Sequence, residues 1–179
     1  GQTETAQIII QSSKEFGIGL NAKNNSGSTA WHDACYNGQT ETAQLLIESS
    51  KDFGIDLNAK DDYESTAWHW ACSNGQTETA QLIIESSKDF GIELNAKNYY
   101  GWTALHWACS KGETETVQMI LKNWKEFGID IKAQNNQGET ALDFINHHQG
   151  GKWNQIKKML EEEYSQIGVT ESVQNFSLE

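Results

Sequence analysis

There is no proline anywhere in the 179 residues, so no helix can begin on a proline's preset φ. Cysteine is scarce: three residues and no CxxC, which excludes a disulfide-built scaffold. Basic residues are outnumbered. Lys and Arg total 13 against 25 Asp and Glu, a formal charge of −12. That balance argues against nucleic acid, whose phosphates need a basic surface, and against anionic membranes. It favours solubility and a neutral or basic partner. No apolar run approaches the ~18 residues of a membrane span. No basic-then-apolar leader stands at the N-terminus. Together these absences predict, as the default expectation, a reducing intracellular compartment, the cytoplasm.

What the chain does have is a period. Thr29, Thr66, Thr103 and Thr140 stand 37 residues apart. His32, His69 and His106 keep that spacing, as do Cys35, Cys72 and Cys109. Gly1, Gly38, Gly75 and Gly112 repeat in the same way, and so do Phe16, Phe53, Phe90 and Phe127, each followed by glycine. Such self-similarity marks a stacked repeat protein.

Within one unit, Ala30, Trp31, Ala34 and Cys35 have helical spacing behind Thr29, a suitable N-cap. Asn37-Gly38 breaks the chain. A second helix is predicted from about Thr40 to Phe53, with Ala43, Leu46, Ile47 and Phe53 on one face and Gly54 as a left-handed C-cap. An extended Ile55-Asp56-Leu57 and a polar turn at Lys60 to Glu64 lead to the next unit. Two such helices cannot bury both faces alone, so stacking must supply the cover.

Thr103-Ala104-Leu105-His106-Trp107-Ala108-Cys109 resembles the ankyrin signature T-P-L-H-x-A, and Gly112 and Leu94-Asn95-Ala96-Lys97 match the same family. The resemblance runs from Gly1 to about Leu160. It implies an all-α, ankyrin-type helix-turn-helix solenoid, while saying almost nothing about which partner is bound. Two departures stand out. The family repeat is about 33 residues, and the four extra ones fall at the end of the second helix. Four residues are close to one turn, so that helix lengthens without rotating its apolar face. Alanine (Ala30, Ala67, Ala104, Ala141) stands where the signature has proline, predicting slightly softer helix starts.

The expected organisation is a partial repeat at 1–26, beginning at its second helix, then full repeats at 27–63, 64–100 and 101–137. A capping repeat at 138–164 and a poorly ordered tail at 165–179 complete it. In the cap, Asp143 replaces the histidine, and Trp153, Ile156, Met159 and Leu160 form the inner face of a last helix. Leu178-Glu179 could be a cloning remnant. At the other end Ile8 and Ile9 are under-covered, which predicts self-association through that end.

Catalysis and metal binding fare poorly. His32 with Cys35 has ligand-like spacing, but zinc needs three or four ligands at ~2.0–2.3 Å. Equivalent residues in adjacent units are separated by about 8–10 Å. The cysteines occupy a core position, where thiols are inert. His147-His148 has no evident co-ligands. The acidic residues, such as Glu48, Asp52, Glu85 and Asp89, recur on an outer face. The sequence therefore predicts no enzyme, no metal and no cofactor.

Binding is the better expectation. The resemblance puts the turns and the exposed side of each first helix on a concave face. There the units differ most, while elsewhere they are near copies. The predicted partner-binding residues are Tyr36, Asp62, Tyr63, Trp70, Tyr99, Tyr100, Trp102, Trp107 and Lys111, for a protein or peptide partner. Exposed Tyr and Trp dominate binding hot spots. The alternative is a spacer in a longer scaffold with an idle face. The resemblance also marks Asn21, Asn58 and Asn95 as similar to ankyrin asparagines that an asparaginyl hydroxylase modifies; a turn-stabilising role is the plainer reading.

Overall fold

A computed structural model describes residues 2–176, with side chains as far as 167. The described residues form nine helices and no strand: α1 Gln2–Phe16, α2 Ala30–Tyr36, α3 Thr40–Phe53, α4 Ala67–Ser73, α5 Thr77–Phe90, α6 Ala104–Lys111, α7 Thr114–Phe127, α8 Ala141–Ile145 and α9 Gly151–Phe176. The odd-numbered helices α1 to α9 stack in order as one layer. The short helices α2, α4, α6 and α8 stack as the other, each also packed on the long helix that follows it.

The long helices have this form for local reasons. In α3, α5 and α7 the chain runs 14 residues. It stops where Gly54, Gly91 and Gly128 take left-handed φ of 67°, 67° and 65°. Ala43, Leu46 and Ile47 point inward, repeated as Ala80, Ile83 and Ile84 and as Val117, Ile120 and Leu121, all buried. Complete burial of one such Ile contributes about 1.5–3 kcal/mol. The predicted extra turn is the stretch from Ser50 to Phe53. Ser50 returns its Oγ to the Ile47 carbonyl at 2.7 Å, satisfying a buried hydroxyl. Lys51 lies 4.7 Å over the next unit's Phe90, and Lys88 lies 4.5 Å over Phe127, so the added turn also links units.

Through the stretch expected as a tail from Ser165, α9 runs on as far as Phe176. Tyr164 donates its hydroxyl to the Ile131 carbonyl, Trp124 Nε1 donates to Glu163 at 3.0 Å, and Ile167 packs on the core. Ile156, Leu160, Tyr164 and Ile167 fall at i, i+4, i+8 and i+11, one continuous helix face. Polar residues between them hid that spacing. Leu178-Glu179, read above as a remnant, lies outside the described residues.

Candidate protein-binding face

Each unit ends in a tip built around one Asn or Asp at the same register: Asn24, Asp61, Asn98 and Asn135. The Oδ1 of Asp61 accepts the Tyr63 and Ser65 amides at 2.8 and 2.9 Å. That of Asn98 accepts the Tyr100 and Trp102 amides, both at 3.0 Å. These side chains impersonate a backbone turn. Successive tips are then sewn together: Asp62 N–H donates to Ser26 O at 3.2 Å, Tyr99 N–H to Tyr63 O at 2.9 Å and Asn136 N–H to Tyr100 O at 3.1 Å. Sequence reasoning passed over these Asx residues, although their 37-residue recurrence was there to find.

The signature histidines hold the tips from beneath. Nδ1 of His32, His69 and His106 accepts the backbone N–H of Thr29, Thr66 and Thr103 at 3.2, 3.1 and 3.2 Å. Nε2 therefore carries the proton and donates to Ser65 O, Trp102 O and Glu139 O, one unit on, at 3.1, 3.0 and 3.1 Å. Both nitrogens are thus engaged, in the neutral form only. Burial lowers the pKa of all three, and that of His69 falls to about 4. Cys35, Cys72 and Cys109 are fully buried, and desolvation pushes their thiols far up, so little thiolate forms at neutral pH.

The predicted binding residues separate into groups. Tyr63, Tyr99 and Tyr100 stand on the tips, exposed by 57%, 67% and 47%. Tyr99 and Tyr100 meet edge to face at 5.4 Å. Tyr36 is exposed at the end of α2 and meets Trp70 at 5.7 Å. Trp102 is half-buried against Trp107 at 4.9 Å and Phe144 at 4.7 Å, a residue the sequence did not flag. Lys111 is exposed, its ammonium 5.8 Å from the Trp107 ring, and Asp62 is exposed beside Tyr63. Trp31 and Trp68, expected in the core, are buried and donate Nε1 to Leu57 O and Leu94 O at 3.0 and 3.1 Å.

Asn21, Asn58 and Asn95 lie away from the tips. Each donates Nδ2 to the carbonyl of the next unit's capping glycine, Gly54, Gly91 or Gly128, at 2.7, 2.8 and 2.8 Å. Each accepts an amide two residues further, from Asp56, Glu93 or Asp130, at 2.9, 2.9 and 2.8 Å.

Paired helices stacked in register, with exposed tips along one side, define an all-α helical repeat solenoid. The family model described as ankyrin repeats (3 copies) matches residues 1–98, 51–135 and 89–149, and the chain belongs to the ankyrin-repeat family. No curated protein matches the chain. Ankyrin repeats are generally protein–protein interaction modules and typically not enzymes. Among the described residues, no helix is long and apolar enough to cross a membrane.

Proposed function

We propose that the concave face binds a protein or peptide, with Tyr63, Tyr99 and Tyr100 as its anchors. One observation carries this reading. Three large aromatic side chains are exposed on tips whose backbones are already fixed by Asx bonds and tip-to-tip bonds. Little backbone entropy remains to be lost on binding. Exposed Tyr held this way supplies contact area at low entropic cost. The flanking Tyr36–Trp70 and Trp102–Trp107–Phe144 groups extend the aromatic strip, with Asp62 and Lys111 at its polar edge. The net charge of −12 disfavours nucleic acid and anionic membrane as partners. A reducing cytoplasm suits three unpaired thiols. Hydroxylation of Asn21, Asn58 or Asn95 stays a separate proposal, since the modified side chain would first have to leave its inter-unit bonds.

The test is the double change Tyr99→Ala with Tyr100→Ala. Peptides selected on the wild-type chain should lose roughly 2 kcal/mol or more of affinity, about thirtyfold. The unfolding free energy should move by about 0.5 kcal/mol or less. Equal losses of binding and stability would sink the reading. Trp102→Ala is a poorer probe, because that ring packs on Trp107 and Phe144 and its loss would also disturb the fold.

A further inference from the structure

Two equivalent tryptophans on this face have opposite fates. In the second unit, Trp70 Nε1 donates to Oδ2 of Asp61 at 2.9 Å, while the other oxygen of that carboxylate holds the tip. In the third unit, Trp107 takes the place of Trp70, but Asn98 takes the place of Asp61. Oδ1 of Asn98 is used by the tip, and its remaining group is an NH₂ that points 3.5 Å from Ser65 Oγ. An amide NH₂ cannot accept. Trp107 Nε1 is therefore left buried with no hydrogen-bond partner. An orphaned buried donor is destabilising, and a partner that supplies an acceptor relieves it.

Space adjoins it. A cavity of about 340 Å³ is lined by Trp107 together with Tyr100, Trp102 and Phe144. Glu139 also lines it, and its carboxylate accepts from Asn135 Nδ2 at 3.1 Å. Exposed Lys111 holds its ammonium 5.8 Å from the centroid of the Trp107 ring.

Resting on the binding reading above, we propose that this cavity takes the side-chain carboxylate of an Asp or Glu in the bound polypeptide, with Trp107 Nε1 as donor and Lys111 as counter-charge. The chain contains its own precedent, because Asp61 makes that bond to Trp70. A Lys or Arg head offers only donors and would leave Nε1 unsatisfied. In the free chain Nε1 is covered, so the incoming oxygen reaches it as an aromatic ring of the cluster shifts. Glu139, which lines the cavity with its carboxylate held by Asn135, opposes an incoming acidic side chain, and Lys111, its ammonium 5.8 Å from the centroid of the Trp107 ring, offsets that repulsion. The partner is then acidic at one anchor and neutral or basic toward the N-terminal units.

A random-peptide display library selected on the full chain tests this. Selected peptides are resynthesised with each Asp or Glu changed to Asn or Gln, and their affinities are measured by calorimetry. The targets are wild type, Asn98→Asp, Trp107→Phe and the Tyr99→Ala/Tyr100→Ala chain. One acidic position should be enriched, and its amide variant should bind wild type about tenfold more weakly, the scale of a hydrogen bond to a charged group. Asn98→Asp supplies an internal acceptor for Trp107. Trp107→Phe removes the donor without adding charge. Both should erase the acid-over-amide preference. Peptides that need Tyr99 and Tyr100 but show no acid preference, or keep it in Trp107→Phe, overturn this inference and leave the binding face standing. Peptides indifferent to the tyrosine changes overturn both.

Discussion

His69 does three things at once. It accepts from the start of its own helix, donates to the next tip and fills space in a nearly dry setting. Each task needs the neutral ring, so protonation breaks the clasp. The sign follows from the shift. Unfolded His69 takes up a proton near pH 6.5, whereas the folded one resists until about pH 4. Its contribution is complete above pH 6.5, declines as pH falls through that window, and is gone below about 4. For His69 alone the loss is about 3 kcal/mol, and His32 and His106 shift the same way. Urea unfolding followed from pH 7.5 downward should show stability falling below pH 6.5. A flat profile between pH 6.5 and 4 would contradict the neutral clasp.

At the scale of elements, the long helices were the most legible feature. Thr40–Phe53 is both the expected and the observed helix, because its 3.6-residue stripe and its closing glycine agree. Less legible was what joins one element to the next. Asn58 bridges two units through Gly91 O and Glu93 N. Asn58→Ala should cost about 1–2 kcal/mol, and the loss should fall on coupling between units rather than on either unit alone. Urea unfolding should become broader as well as earlier. A purely parallel shift of the curve would mean that Asn58 acts only within its own turn. The continuation of α9 past Tyr164 has a similar origin. A helix face with one apolar residue per turn is faint in sequence, and here it was stabilised by remote partners, Ile131 O and Trp124.

At the scale of the whole molecule, the two ends of the stack differ. The far end is closed by α9, where Ile156 and Leu160 are completely buried. At the near end Ile8 and Ile9 are exposed by 65% and 43%. They face an open groove of about 800 Å³ that Leu20, Ala34 and Leu46 also line. Exposed apolar area of this kind promotes association. Sedimentation of this chain should show concentration-dependent self-association, reduced by Ile8→Glu with Ile9→Lys. A monomer at all concentrations, or association that survives both changes, would exclude this end as the contact.

The sequence by itself determined the repeat, the two helices per unit and the buried Trp31 and Trp68. These are set by local periodicity and by copying at a constant interval, both visible along a line of letters. Only the tertiary structure decided which aromatics remain exposed, that Trp102 turns inward to Trp107 and Phe144 while the tyrosines stay out, and that Asn98 leaves Trp107 without an acceptor. Those outcomes depend on side chains up to 42 residues apart meeting in space, and one-dimensional spacing carries no record of whether a donor there finds an acceptor.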